Sequence, residues 1–251
     1  MSNKSLIQKL EELSMNALPA LETQVNNGWK LRFSNGYTKR ANSIYPLYAG
    51  DGGLKRRIAE SEQSYRDRKL RTVYKMTEQV HPRNLDDVLE KSNYLLAGKT
   101  SVQMLLLSEI HEKPPTNAEM YTELNEKWFS YFCHFNNVRE THQNTLKQML
   151  HKINPTTCFV LLINNSGAVL SCGLGVLEEE YIGLFDIVTN DKYRNMGYGT
   201  ELINSLLNWG RENGAKYAYL QVVLDNIPAL NLYSKLGIRE RYKYWYRIKE
   251  E

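Results

Sequence analysis

The sequence predicts an α/β or α+β fold whose mixed sheet carries helices on both faces. Two observations support this prediction. Apolar runs over residues 158–163, 168–177 and 181–188 have the length and composition of neighbouring antiparallel strands. The chain then alternates from strand to helix to strand to helix to strand over residues 181–249. Antiparallel strands that lead into a βαβαβ run indicate a mixed sheet.

The N-terminal half predicts a set of elements of its own. Leu6, Leu10 and Leu13 share one face of a short amphipathic helix. Residues 29–33 alternate apolar and basic side chains, as a strand does, and Asn35-Gly36 predicts a hairpin turn to a return strand. The further predicted elements are the return strand over 38–44, a helix after the break at Gly50 to Gly53, a strand over 71–76, a helix over 85–96 and a strand over 101–107.

The C-terminal half begins after a predicted linker. Residues 111–117 contain Pro114-Pro115, which disfavours helix and stiffens a connection. The elements predicted after it, besides the three strands above, are helices over 126–135 and 140–153, a helix over 198–213 stopped by Gly214, a strand over 217–224, a helix over 228–236 that begins with Pro228, and a last strand through Tyr242, Tyr244 and Tyr246.

Composition narrows the class of protein. The 251 residues are 42% hydrophobic and 24% charged, as in a globular protein, and no apolar run approaches the roughly 20 residues of a membrane span. The N-terminus has no secretory signal pattern. A net charge of +4 is mildly basic, which suits an anionic ligand but not a nucleic-acid stripe. Cys133, Cys158 and Cys172 have no metal-ligand spacing, so they predict buried thiols in the cytoplasm and no metal site. The apolar runs and the charge, taken together, predict no membrane or nucleic-acid partner.

A glycine-rich loop between a predicted strand and a predicted helix is the main candidate site. The strand ends at Ile187-Val188-Thr189, and the loop Arg194-Asn195-Met196-Gly197-Tyr198-Gly199 leads into a helix that begins at the glycines, with Thr200 as a further candidate cofactor-binding residue. The first turn of a helix has unbonded backbone N–H groups and a partial positive charge. Gly197 and Gly199 would let a diphosphate reach these donors, and Arg194 adds a positive charge. Alternatively, the glycines only allow a tight turn; Rossmann and P-loop patterns are absent.

Two blocks in register resemble the GCN5-related N-acetyltransferase family. The loop matches the pattern Q/R-x-x-G-x-G/A, and residues 226–237 match N-x-x-A-x-x-x-Y-x-x-x-G, with Ile238 where the family has Phe. The resemblance covers about residues 120–250 and implies that acetyl-CoA is the donor of an acetyl group. It also implies that the fourth strand of the sheet carries a bulge, and that the backbone of Ile187, Val188 and Thr189 binds the pantetheine arm together with Asn226.

The resemblance also implies catalytic roles. Tyr233 would donate a proton to the leaving thiolate; alternatively, it is a core tyrosine. Asn226 could equally be a simple helix cap. Protein-acetylating members have a Glu early in the fourth strand, where this sequence has Gly183, which weakens a histone-acetyltransferase mechanism. Asp186 is the most unusual carboxylate nearby and is a candidate general base or a structural hydrogen-bond acceptor.

The N-terminal half predicts a degenerate copy of the same fold, placed over residues 1–113, before the acetyltransferase domain over 119–251. The segment Gly50 to Leu54 stands where a phosphate loop would, but it lacks the R-x-x-G-x-G spacing and carries Asp51. Gly28 to Arg32 and Arg40 to Ser43 resemble stretches of two-part bacterial members of the family. The alternative is an unrelated α/β cap.

The predicted function is an N-acetyltransferase that acts on the primary amine of a small molecule or amino-acid-like acceptor by direct attack in a ternary complex. Two other functions stay open at this point. One is a non-catalytic acyl-CoA-binding sensor, and the other is acetylation of protein lysines or N-termini. The expected oligomeric state is a monomer or a homodimer.

Overall fold

A computed structural model describes residues 3–109 and 117–250. The chain forms two compact units, which are Met1–Ser101 together with Tyr242–Glu251, and Val102–Arg241. These units divide the chain after Ser101 and again after Arg241, whereas the predicted domains divide it once, at residues 113–119. The last ten residues belong to the first unit. Most of the predicted linker at 111–117 lies outside the described residues.

The first unit begins with a helix, continues with three strands, and then alternates between helices and strands. Its elements are α1 (Asn3–Ala17), β1 (Glu22–Asn26), β2 (Trp29–Phe33), β3 (Ile44–Tyr45), α2 (Leu54–Asp67), β4 (Val73–Thr77), α3 (Leu85–Lys91) and β5 (Tyr94–Leu106), of which β5 continues into the second unit.

The second unit contains the antiparallel strands and the alternating region. Its elements are β6 (Ala118–Tyr121), α4 (Glu126–Phe135), α5 (Glu140–His151), β7 (Thr156–Ile163), β8 (Val169–Glu178), β9 (Tyr181–Thr189), α6 (Tyr198–Glu212), β10 (Tyr217–Val223), α7 (Ile227–Lys235) and β11 (Arg239–Lys249), of which β11 continues into the first unit.

The hairpin of the first unit is placed differently from the prediction. β1 pairs antiparallel with β2 across Asn27-Gly28, both of which have positive φ as a tight hairpin turn requires. The predicted return strand over 38–44 is wrong: residues 39–41 form a 3₁₀ helix, and only Ile44–Tyr45 pairs with β2. The side chain of Asn42 bonds to the backbone of Ser34, Gly36 and Thr38, and so occupies groups that a strand ladder would use. β1 was not predicted because its residues are polar and mostly exposed.

The second unit has the mixed sheet that the sequence predicts. β9, β8, β7 and β6 are antiparallel in that order, and β10 lies parallel to β9 on the other side. The helix α6 covers this sheet with an apolar face of buried side chains, namely Leu202, Ile203, Leu206 and Leu207. The predicted fold class is confirmed. No helix of the described residues is long and apolar enough to cross a membrane, and Cys133, Cys158 and Cys172 are buried free thiols.

Candidate active site

A β-bulge interrupts the pairing of β9 with β8 in the middle of the strand. Leu174 faces Phe185 and Cys172 faces Val188, so Asp186 and Ile187 together stand opposite the single residue Gly173. Asp186 has a φ of +52°, in the left-handed region that Asp tolerates better than most residues. Beyond the bulge the pairing resumes with a shifted register, so that Val188 faces Cys172 and Thr189 faces Ser171.

The other edge of β9 loses its partner at the same level. The parallel pairing with β10 runs from Tyr181↔Tyr217 to Leu184↔Leu220. Both strands continue beyond this point, β9 to Thr189 and β10 to Val223. Backbone groups of residues 187–189 therefore face a gap between two strands, and such groups are strong hydrogen-bonding partners for an extended ligand.

The last two residues of the glycine loop, Tyr198 and Gly199, form the start of α6. Gly197 is the N-cap of this helix and has a φ of +90°, where a side chain is strained, and a Cβ there would meet no atom within 4 Å. Within residues 3–109 and 117–250, the backbone N–H groups of Gly197, Tyr198 and Gly199 have no acceptor, whereas those of Thr200 and Glu201 donate to the carbonyl of Gly197. Three unbonded donors therefore stand at this helix end, where the sequence predicts a phosphate cradle.

The other loop residues lie around this helix end. Gly199 is close to the strand, because a Cβ there would lie 3.2 Å from Leu232 and 3.5 Å from the hydroxyl of Thr189. Arg194 forms an exposed pair with Asp191 at 2.6 Å. An exposed pair of this kind contributes at most about 1 kcal/mol, so the guanidinium is able to exchange Asp191 for a phosphate. Asn195 has a left-handed backbone, and Met196 is exposed.

Asn226 caps α7, as the structural interpretation of this residue predicts. Its side-chain oxygen accepts a hydrogen bond from the N–H of Ala229 at 3.2 Å. The residue is exposed, and its amide nitrogen has no partner in the described part of the chain. Capping uses only the oxygen, so the amide nitrogen is left to donate to a ligand.

Tyr233 lies on α7 with its ring in the core of the second unit. The residue is 8% exposed and packs with the apolar residues of β10 and α6. Burial raises the pKa of its phenol to about 12, so the hydroxyl is a neutral donor at physiological pH. The hydroxyl of Tyr233 makes no hydrogen bond to any described residue.

Asp186 is half-buried rather than fully buried as predicted. Its charge lies close enough to Cys172 to raise the pKa of that thiol, which burial raises more strongly. Two structural features explain an Asp at position 186, namely its place in the bulge and its left-handed backbone. A role as general base is a further explanation.

Gly183 occupies a position where no side chain fits. A Cβ there would lie 2.3 Å from the ring of Phe185 and 2.7 Å from the ring of Tyr219. These two rings form an edge-to-face pair with centroids 5.9 Å apart. The aromatic pair fills the volume that a Glu at this position would need.

We expect Gly183→Ala to destabilise the protein by about 1–3 kcal/mol, because the new methyl group overpacks the Phe185–Tyr219 pair. Urea denaturation measures this change. Combining Gly183→Ala with Phe185→Leu should recover part of the loss; equal losses in the single and double variants would contradict the packing explanation.

One residue that anchors the bulge was not predicted from the sequence. Trp128 on α4 is fully buried and its indole N–H donates to the carbonyl of Gly173 at 3.0 Å. Gly173 is the residue that faces the bulge, and a Cβ on it would lie 2.7 Å from the side chain of Ile187. The aromatic-rich pattern of residues 126–135 was the only signal in the sequence, and it does not indicate this bond.

A polar cavity of about 470 Å³ lies between α4 and α5. One of its walls is Cys133 on α4, the helix whose Trp128 bonds to Gly173 opposite the bulge. No Asp, Glu, Lys or Arg lines it. The lining residues are Ser130, Cys133, His134, Asn137, Val138 and Gln143.

Comparison with known proteins identifies the family. Residues 4–247 match the Rv0428c_C family model, described as "Probable histone acetyltransferase Rv0428c C-terminal". The chain belongs to this family. It is a GCN5-related N-acetyltransferase, as the two sequence blocks predict, and the prediction of an enzyme is confirmed.

Individual relatives agree with this assignment. The "Uncharacterized N-acetyltransferase YobR" of Bacillus subtilis is 27% identical over 250 residues, which cover 97% of this chain and 98% of that protein. A GCN5-related N-acetyltransferase from Kribbella flavida has a similar fold, with a TM-score of 0.72, 10% identity, and coverage of 97% of this chain and 95% of that one. A tandem GNAT protein from the clavulanic acid biosynthesis pathway has a TM-score of 0.59 at 12% identity, with 83% and 76% covered.

Proposed function

We propose that this N-acetyltransferase moves the acetyl group of acetyl-CoA directly to the primary amine of a small-molecule or amino-acid-like acceptor. The observation that carries the proposal is the row of unbonded N–H groups at Gly197, Tyr198 and Gly199, which stands at the end of the gap between β9 and β10. A diphosphate fits the first feature and an extended amide chain fits the second.

The donor site of this proposal uses residues from three segments. The free N–H groups of Gly197, Tyr198 and Gly199 and the guanidinium of Arg194 bind the diphosphate, with Asn195, Met196 and Thr200 beside it. The backbone of Ile187, Val188 and Thr189 pairs with the pantetheine amides in place of the missing strand. The free amide nitrogen of Asn226 donates to the same arm.

The chemistry needs a donor for the carbonyl oxygen, a base for the amine and a partner for the leaving sulfur. A backbone N–H at Ile187 or Val188 stabilises the negative charge that develops on the carbonyl oxygen. The amine nitrogen attacks the carbonyl carbon, the C–S bond breaks, and the amine proton passes to Asp186, directly or through water.

Tyr233 supports the departure of the sulfur. A thiol has a pKa of about 8.5, well below the value of about 12 for the buried phenol, so complete proton transfer from tyrosine is unfavourable. Tyr233 therefore donates a hydrogen bond that stabilises the thiolate, and the final proton comes from solvent.

A small acceptor is favoured over a histone. The space that a Glu would need at residue 183 is filled by Phe185 and Tyr219, although the family description names a histone acetyltransferase. The cavity between α4 and α5 has polar but uncharged walls and a volume within the roughly 300–1,000 Å³ of small-molecule sites. We propose that it holds the body of the acceptor.

The remaining parts of the proposal concern the whole protein. The first unit is a degenerate acetyltransferase-like domain without a phosphate loop of its own; the likeness of a tandem GNAT protein to 83% of this chain supports this part of the proposal. The protein works in the cytoplasm, where its free thiols stay reduced, as a monomer or homodimer, and without a metal.

Release of free thiol from acetyl-CoA in the presence of a panel of small primary amines tests the function. Amine-dependent release, with the acetylated amine found by mass spectrometry, would support it. Binding of acetyl-CoA without turnover on amines or on protein substrates would contradict catalysis, and acetylation of proteins alone would replace the small acceptor.

We expect Tyr233→Phe to lower kcat roughly 10- to 100-fold and to leave the Kd for acetyl-CoA within about twofold, because the lost hydrogen bond acts on the leaving sulfur. Since the pKa of Tyr233 is about 12, its phenol stays protonated and the rate ratio of wild type to variant should be constant from about pH 7 to about pH 10. Tyr217→Phe, on the half-buried ring that stacks on Tyr181, is the control. Loss of acetyl-CoA binding in Tyr233→Phe would instead assign the residue to packing.

A further inference from the structure

We propose that the first unit binds a small organic anion with an apolar body in a surface cavity of about 440 Å³, here called the cationic pocket. All its residues belong to the first unit, whereas the residues of the proposed acetyl-CoA site belong to the second. The lining residues are Asn35, Gly36, Lys39, Asn42, Lys69, Leu70, Arg71, Val73 and Ile248.

The charge of the cationic pocket is one-sided. Lys39, Lys69 and Arg71 line it, and no Asp or Glu does. In the described part of the chain none of the three cations forms a salt bridge. The acid nearest in sequence, Asp67, accepts a hydrogen bond from Gln63 on its own helix and does not line the cavity. Cations gathered in a concave site attract an anion, and an anion relieves their mutual repulsion.

The backbone of the cationic pocket is fixed before any ligand binds. The side chain of Asn42 accepts from the N–H groups of Ser34 and Gly36 at 2.7 and 3.0 Å, and it donates to the carbonyls of Ser34 and Thr38 at 3.3 and 2.9 Å. Lys69 has a φ of +55°, which orients the second cation from the end of α2. A rigid site spends little conformational entropy on binding.

The cavity floor is apolar. Val73 is buried at the start of β4, where it pairs with Ile248 of β11, and Leu70 closes the side, 3.5 Å from a Cβ placed on Gly36. Lys39 extends over the ring of Tyr246 at 5.8 Å, which holds its stem along the wall. Cations at the rim and aliphatic side chains below match a phosphate or carboxylate that is attached to a ring or short hydrocarbon.

Isothermal titration with phenyl phosphate, inorganic phosphate and benzyl alcohol tests this site, with saturating CoA present to occupy the acetyltransferase site. We expect phenyl phosphate to bind with a stoichiometry of one and at least about tenfold more tightly than inorganic phosphate, because only the former covers the apolar floor. Benzyl alcohol should show no binding. Equal affinity for the two phosphates would overturn the proposal in favour of unspecific attraction by surface charge.

Variants locate the binding. Arg71→Gln and Lys69→Asn should each weaken phenyl phosphate binding about fivefold, and together about 25-fold; Asn suits the left-handed backbone at residue 69. Lys55→Gln, on an exposed lysine outside the cavity, is the control and should change nothing. An effect of Lys55→Gln as large as that of Arg71→Gln, or full binding in the double variant, would overturn the proposal.

Two further readouts keep this test separate from folding and from the acetyltransferase site. In the wild-type protein, phenyl phosphate should shift the NMR signals of the amides of Gly36, Leu70 and Val73; shifts confined to other residues would contradict the site. The double variant should still bind CoA. Loss of CoA binding in Gly197→Glu, with phenyl phosphate binding intact, would show that the two sites are independent.

Discussion

Gly197→Glu is expected to lower the affinity for acetyl-CoA at least about 100-fold and to abolish turnover at ordinary donor concentrations. Two unit charges about 4 Å apart near a protein surface interact with about 4 kcal/mol, so a carboxylate beside the diphosphate opposes binding strongly. It also covers the N–H groups of Tyr198 and Gly199, which have no acceptor within the described residues. Calorimetry with acetyl-CoA measures the effect.

Gly214→Glu is a matched control for this variant. Gly214 follows α6 at its other end with a φ of +93°, and a Cβ placed on it, like one placed on Gly197, would meet no atom within 4 Å. Both substitutions place a side chain in the left-handed region and should cost roughly 1–2 kcal/mol in stability. Only Gly197→Glu should lose acetyl-CoA. Wild-type affinity in that variant would refute the cofactor cradle.

Lys75→Met is expected to destabilise the protein by about 3–5 kcal/mol, because it leaves the carboxylate of Glu11 buried without its cation. The two side chains are 1% and 0% exposed and lie 2.6 Å apart. Tyr242 donates to the other oxygen of Glu11 at 2.8 Å, and the ammonium group stands 3.9 Å from the ring centre of Tyr244. Urea denaturation followed by circular dichroism measures the free energy of unfolding.

The loss of stability in Lys75→Met is compared with that of a double variant and with that of a variant of an exposed ion pair. Glu11→Leu with Lys75→Met removes both charges and should recover most of the loss, since an apolar pair of similar volume replaces a buried ion pair at little cost. Arg56→Met breaks a pair whose arginine is 72% exposed and should change stability by no more than about 0.5 kcal/mol. A loss for Lys75→Met as small as that for Arg56→Met would contradict the buried-pair explanation.

The ion pair of Glu11 and Lys75 also raises the pKa of the lysine. Burial is the largest single influence and lowers this pKa, but the charges of Glu11, Tyr45 and Tyr244 and the hydrogen bond to Glu11 together outweigh it. The folded protein therefore holds the proton more tightly than the unfolded chain. Stability from this group is fully present below the ordinary lysine pKa and is lost at alkaline pH as the folded lysine deprotonates.

The site residues could be predicted where chemistry depends on local sequence. Gly197 and Gly199 stand at the start of a strongly amphipathic helix, so their role at its N-terminus follows from spacing alone. Asn226 before Pro228 predicts a helix cap for the same reason. Such features depend on residues only a few positions apart, so the local sequence is enough to predict them.

Other features of the site depend on partners that are distant in sequence. The bulge at Asp186 requires Gly173 opposite it and Trp128 above, and neither is marked by periodicity in β9. Gly183 looks like the loss of a catalytic Glu, yet it is the contact with Tyr219, on the neighbouring strand, that rules out a side chain there. The predicted strand over residues 38–44 was wrong because the side chain of Asn42 bonds to the backbone of this segment. Hydrophobic periodicity in the sequence does not reveal such hydrogen bonds.

The sequence by itself determined the acetyltransferase family and the place of the glycine loop at the start of α6, because both depend on compact blocks of residues with fixed spacing. Only the tertiary structure decided that Tyr242–Glu251 completes the first unit, where Arg247 binds the carboxylate of Asp86 at 2.8 Å and Tyr242 binds Glu11. The alternating tyrosines of β11 predict a strand and no more. The strand pairs with β4, and its side chains bind the buried Glu11 on α1 and the half-buried Asp86 on α3, which lie more than 150 residues away along the chain and leave no local pattern in the sequence.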